Sequence, residues 1–165
     1  SAGRPEPGRS RLAWGGDEDD LAQFGGPVQP QVGTVLYSGA GDELPPLSID
    51  ITTRLIVSTA LATRDFQDVH HDKPGAQALG SPDIFMNIIT TNGFVGRYVT
   101  DWAGPEALLR SVKIRLGAPN YPGDTMVIKG KVTEVNSDAK TVDIEVGGKN
   151  GLGYHVTGTV TVALP

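Results

Sequence analysis

The stretch that decides the fold is SPDIFMNIITTNGFVGRYVTDWAGP, residues 81–105. Ser81 is a good helix N-cap, because its hydroxyl can accept from one of the orphan N–H groups of a first turn. Pro82 suits the first helical position, where a missing N–H costs nothing. Phe85, Ile88, Ile89, Phe94, Val95, Tyr98, Val99 and Trp102 then recur at spacings that cover more than one helical face. The reading is a long helix that starts near Ser81–Ile84, is buried all round and is stopped by Gly104-Pro105. Gly93 and Gly96 each cost about 1 kcal/mol against alanine inside a helix. They predict close contact with something packed on it.

Working outward, the chain after this helix is strand-like. Leu109–Leu116 alternates, with Arg110, Val112, Ile114 and Leu116 opposed to Leu109, Ser111, Lys113 and Arg115. Ala118–Asp124 is a loop. Thr125–Val135, Thr141–Val146 and His155–Leu164 read as antiparallel strands, with turns at Asn136–Asp138 and Gly147–Gly153. Before the helix, Leu47, Ile49 and Ile51 alternate as a strand, after turn chemistry at Gly41–Pro46. Thr34–Tyr37 reads as another short strand. Leu55, Ile56, Thr59, Ala60 and Ala62 follow the helical period, predicting a short helix over Thr52–Thr63. The expected class is α+β, a single antiparallel sheet wrapped around one long central helix, an arrangement that buries both elements.

The 165 residues fit one domain. Lys and Arg total 14 against 19 Asp and Glu, a formal charge of -5. A net acidic chain without a basic cluster is a poor binder of nucleic acid, which needs several cations on one face. The absence of cysteine excludes disulfides, thiolate metal sites and a cysteine nucleophile. No apolar run approaches the ~20 residues that span a bilayer. With no basic-then-apolar start, a cytoplasmic protein without a membrane partner is expected. Residues 1–46 hold 9 Gly and 6 Pro, together with the acidic run Asp17–Asp20. Such a segment buries too little apolar surface to offset its ordering entropy. Residues 1–30 are therefore read as an extension, with Leu12, Trp14, Leu21 and Phe24 as possible docking points, and residues 31–165 as the folded domain.

The chemistry concentrates in the loop Asp65-Phe66-Gln67-Asp68-Val69-His70-His71-Asp72. An imidazole and a carboxylate can share acid and base roles near neutrality and hold one water between them, which suits Asp65 and His70. Unpaired N–H groups at the start of the following helix can stabilise a developing oxyanion. Acid, base and oxyanion donor together suit chemistry beside a carbonyl. The competing reading is a turn of solvated charges. His70 and His71 as a metal pair lack further ligands at usable spacing, since the remaining histidine, His155, lies in a distant strand; no metal is expected. Arg97 and Asp101 read as an i,i+4 surface pair. Lys113 and Arg115 share a strand face that is either solvated or meets a phosphate.

The loop resembles the D-x-N-P-x-H-x-D signature of MaoC-like (R)-specific enoyl-CoA hydratases. Asp65, His70 and Asp72 match in register, while Gln67 and Asp68 replace the Asn and Pro. Gly41–Pro46 is similar to the entry segment of these domains and Gly80–Phe85 to the start of their central helix. Val57–Asp72, Ser81–Asn87 and Arg97–Pro105 resemble one branch more closely: the small subunit of actinobacterial steroid side-chain (cholesterol-degradation) enoyl-CoA hydratases.

The resemblance implies a hot-dog fold over residues 31–165. It implies Asp65 and His70 as the catalytic pair, supported by the loop residues Gln67 and Asp72. It implies a backbone N–H at the helix start, at Asp83 or Ile84, as the oxyanion donor. Tyr121, between Pro119 and Pro122, would wall the substrate pocket. No cofactor is implied beyond the coenzyme A that is part of the substrate. The implied partner is a larger MaoC-like subunit with a zinc-ribbon/OB-fold domain, in an α2β2 heterotetramer. The implied activity is hydration of a steroid side-chain enoyl-CoA. The alternatives are a non-catalytic MaoC-like subunit that stabilises or docks a partner, and a hot-dog acyl-CoA thioesterase.

Overall fold

The computed structural model describes residues 39–165. The expected extension, its docking points and the strand at Thr34–Tyr37 lie outside the described residues. The elements run β1 (Glu43–Ile51), α1 (Thr53–Ala62), a 3-10 turn (Asp68–His70), α2 (Lys73–Ala78), α3 (Ile88–Ala103), β2 (Leu108–Leu116), β3 (Asp124–Asn136), β4 (Thr141–Asn150) and β5 (Gly153–Ala163). The strands form one antiparallel sheet in the order β1-β3-β4-β5-β2. Helix α3 contacts β5 and both edge strands, β1 and β2, so the sheet curls around it. This is the α+β hot-dog architecture expected.

The core follows from the period-2 pattern of the strands. Met126, Ile128 and Val132 of β3, Val142, Ile144 and Val146 of β4, and Val156, Val160 and Val162 of β5 face inward. Val95, Tyr98 and Val99 of α3 pack against them. Gly130 makes room for the Tyr98 ring, since a Cβ there would meet the ring at 2.9 Å. Gly148 likewise lets β4 pass Val156, which a Cβ would approach to 2.8 Å. That close passage explains why β4 runs on to Asn150 through glycines that read as a turn.

Three expectations are corrected. Helix α3 starts at Ile88, not near Ser81–Ile84, and its N-cap is Asn87. Residues 81–87 are instead an irregular segment, in which Ser81 Oγ donates to the carbonyl of Asp83 rather than capping a helix. Secondly, α3 is one-sided rather than buried all round. Ile88 and Ile89 are half exposed, and Gly93 faces open space. Gly96 alone packs as predicted, against Leu109 of β2. Thirdly, β1 begins within the expected turn and absorbs Pro45 and Pro46 through a register shift between Leu44 and Leu47. Proline is tolerated there because β1 is an edge strand. Among the described residues no helix is long and apolar enough to cross a membrane.

Candidate active site

Asp65 owes its position to the way α1 ends. Thr52 caps the helix by accepting the N–H of Leu55 at 3.0 Å. At the other end Arg64 adopts φ +58°, the left-handed conformation that closes many helices, at a residue where glycine is more usual. The Arg64 N–H donates to Leu61 at 3.0 Å and the Asp65 N–H to Ala60 at 2.9 Å, the bond pair of a Schellman cap. This turns the chain sharply, with Asp65 as the first residue beyond it.

His70 closes the 3-10 turn and is buried. Its Nδ1–H donates to the carbonyl of Phe85 at 2.6 Å, while the Phe85 N–H donates to Val69 at 3.0 Å. Phe85 also sets its ring edge-on to the imidazole at 5.1 Å. With Nδ1 carrying the proton, neutral His70 presents Nε2 as an acceptor. Nε2 lies 3.4 Å from Asp65 Oδ2. Two acceptors that converge at this distance are suited to hold one water by its two hydrogens.

Several groups fix the carboxylate. Asn87 Nδ2 donates to Asp65 Oδ2 at 3.0 Å, and the Gln67 N–H reaches Oδ1 at 3.4 Å. Partial burial pushes the Asp65 carboxyl up. The Asn87 amide and the Gln67 N–H, joined by the positive charge of His70 and His71 when those rings are protonated, outweigh it and hold the group below the usual carboxylate value. The carboxylate form is therefore the resting state. His71 does not join the pair: its Nε2–H donates to the backbone carbonyl of Asp65 at 2.6 Å. Adjacent histidines thus serve one residue, His70 at its carboxylate and His71 at its backbone carbonyl.

The other predicted residues divide by role. Asp72 caps α2, accepting the Gly75 N–H at 3.0 Å. Gln67 contributes its backbone, not its exposed side chain, and precedes the 3-10 turn. Asp83 pairs with Lys73 at 2.7 Å, and its carboxylate accepts the N–H of Ile84 at 2.8 Å. Both residues precede α3 and the Ile84 donor is occupied, so the helix-start argument does not hold for Asp83 and Ile84. At the actual start, the N–H groups of Ile88 and Ile89 have no partner among the described residues, as is normal for a first turn. Tyr121 packs on the segment that orients His70: its ring meets that of Phe85 at 6.4 Å and its hydroxyl lies 3.4 Å from Ser81 Oγ. Arg97 and Asp101 form the expected exposed pair at 3.2 Å, and Lys113 and Arg115 are exposed on β2.

Residues that sequence reading missed are the buried amides and His155. Asn87 is described above. Asn120 is fully buried; its carbonyl accepts the Met86 N–H at 3.1 Å and its side-chain oxygen accepts from Asn150 at 2.8 Å. These bonds anchor the segment that carries Phe85 and Asn87. His155 is buried between the carbonyl of Ala118, at 2.6 Å, and Thr91 Oγ1, at 2.8 Å. The one available signal was polar residues beside the apolar run of α3, at Asn87, Thr90 and Thr91. Helix α2 was missed too, although Asp72 before Lys73-Pro74 is a cap-plus-proline start.

A curled five-stranded sheet around one helix, with an Asp–His pair beside the helix start, defines a hot-dog domain of the MaoC-like class. No protein-family model matches the chain. It is 56% identical over 124 residues to the 3-oxo-4,17-pregnadiene-20-carboxyl-CoA hydratase beta subunit of Mycobacterium tuberculosis, covering 75% of this chain and 95% of that protein. The crystal structure of the ChsH1-ChsH2 complex from Mycobacterium tuberculosis includes a chain that matches with a TM-score of 0.75 and 52% identity, over 78% of this chain and 100% of that one. An (R)-hydratase from A. caviae involved in PHA biosynthesis matches in fold, with a TM-score of 0.70 and 19% identity over 79% of this chain and 99% of its own. The chain belongs to the MaoC-like enoyl-CoA hydratases, in the family of the steroid side-chain hydratase beta subunits.

Proposed function

We propose that this chain is the catalytic subunit of a heteromeric hydratase that adds water across the α,β double bond of a steroid side-chain enoyl-CoA. The observation that carries the reading is the convergence of the Asp65 carboxylate and His70 Nε2 at 3.4 Å. The name of the Mycobacterium tuberculosis relative supports the substrate class.

On this reading each residue has a task. A water held by Asp65 and His70 gives its oxygen to the β-carbon and one proton to the pair. The pair returns a proton to the α-carbon, so the reaction needs no net acid or base. The thioester oxygen gains charge as the bond forms. A backbone N–H from the first turn of α3 would stabilise it, because Asn87, the cap of that turn, already touches Asp65. Gln67 and Asp72 support the loop, and Tyr121 walls the pocket beyond Phe85. The mechanism asks nothing of a metal or organic cofactor.

The uncovered face supports a partner. Ile88 and Ile89 at the start of α3, Gly93 beside them, and Leu108 and Leu109 on edge strand β2 leave an apolar strip and an open sheet edge. We assign this face to a larger MaoC-like subunit, with a zinc-ribbon/OB-fold domain, in an α2β2 assembly. The ChsH1-ChsH2 complex supports a two-chain arrangement. The test is hydration by the complex co-expressed with such a partner. A steroid side-chain enoyl-CoA should exceed crotonyl-CoA in kcat/KM by at least ~10²-fold, about 2.7 kcal/mol. Equal efficiencies would return the protein to a short-chain hydratase, and release of free coenzyme A would make it a thioesterase.

A further inference from the structure

Asn87 stands immediately before α3 and is almost wholly buried. Its Oδ1 accepts the N–H of Thr90 at 2.9 Å, an ordinary helix cap. That bond fixes the amide's orientation and turns Nδ2 toward the end of α1. There it donates to Thr63 Oγ1 at 2.9 Å and to Asp65 Oδ2 at 3.0 Å. Thr63 directs its own hydroxyl proton to the carbonyl of Thr59 at 2.8 Å, so its oxygen is left to accept. A flipped amide would leave the Thr90 N–H unpaired and set an oxygen against two oxygens. Serine or aspartate would cap the helix equally well. Asparagine differs from them in offering, at the same point, an acceptor for the helix and two N–H donors for its neighbours.

The amide is also anchored to the sheet. The Asn87 carbonyl accepts the Thr91 N–H at 3.2 Å, and Thr91 Oγ1 lies 2.8 Å from His155 Nε2 on β5. The Asp65 rotamer is therefore referred through Asn87 to α3 and, through Thr91 and His155, to β5. We propose that Asn87 is a positioning residue for the hydration step, holding Asp65 Oδ2 toward His70 Nε2. The other groups that face Asp65 are His70, His71 and the Gln67 N–H. The inference rests on the hydratase reading given above.

The experiment measures kcat, KM and their pH dependence on the reconstituted complex. Asn87→Ser keeps a capping oxygen and removes the amide donor. It should lower kcat about tenfold or more while KM changes little. The acid limb of its kcat profile should move up, because the ionised carboxylate has lost a donor. Asn87→Asp keeps both volume and cap, so it carries the test if the serine variant folds poorly. Two carboxylates about 3 Å apart share one proton. Its kcat should therefore fall as pH rises past the pair's raised pKa, a loss the wild type lacks. In an Asp65→Asn background, Asn87→Ser should add no further loss. If both variants keep the wild-type pH profile and only the melting temperature drops, Asn87 is a cap and the inference is overturned. Full activity in Asp65→Asn alone would instead overturn the reading of this chain as the catalytic subunit.

Discussion

The inner face of the sheet and the cluster at the start of α3 are held by different physics. The sheet face is Val, Ile and Met on three neighbouring strands, and its stability comes from non-directional burial. The cluster around Asp65 and His70 is held by directed bonds: Phe85 orients His70, Asn87 orients Asp65, and His71 pins the Asp65 backbone. It also includes a left-handed arginine at the hinge of the loop. The lesson is that stability and catalysis should separate under mutation. Changes in the sheet should cost stability, and changes in the cluster should cost rate.

Ile144→Ala tests the first half of that contrast. Ile144 is fully buried, so truncation should destabilise the chain by about 2–5 kcal/mol. Denaturant melts should report this while the rate per folded complex stays near wild type. A rate loss as large as the stability loss would break the comparison. His71→Ala should act in the opposite sense. Losing one bond to the Asp65 carbonyl is worth about 1 kcal/mol, roughly a fivefold fall in kcat, with little change in melting.

His155 ties the two regions together and gives a pH dependence. Burial lowers its pKa, and the bond to Ala118 opposes that only in part. The unfolded chain then binds a proton more readily than the folded one below the ordinary value of 6.5. Stability should be flat above that value and fall as pH drops through it toward the depressed folded value. Denaturation midpoints between about pH 8 and about pH 5 should show this slope, and His155→Asn should lose it. The smallest effect concerns the hinge. Arg64→Gly relieves a left-handed conformation that costs a side chain about 1–2 kcal/mol. Since glycine also loosens the unfolded chain, the net gain in melting should be under about 1 kcal/mol, with activity preserved.

The same contrast governs what was legible in the sequence. Alternation placed β2 and β3 to within a residue at each end, because burial against one face is written in period 2, whereas β4 was read four residues short of Asn150 and β5 two residues late of Gly153. The start of α3 was misread because Ser81-Pro82 has helix-start chemistry locally. The segment is nonetheless pulled extended by bonds to Asn120 and Val69, which are distant in sequence. The approach of Asp65 to His70 was legible, since their types and spacing sit in one loop. Their support was not, because Asn87, Asn120 and His155 reach the site from three separate elements. Gly93 pointed to a packed neighbour that the described residues of this chain do not supply.

The central claim is that the reacting water is held by this chain's Asp65 and His70. The direct measurement is the hydration rate of the reconstituted complex carrying Asp65→Asn or His70→Gln in this subunit alone. Each variant should lose at least ~10²-fold in kcat, the scale of a positioned acid–base group, with assembly unchanged. A complex that keeps wild-type kcat with both substitutions would contradict the account and assign the chemistry to the partner subunit.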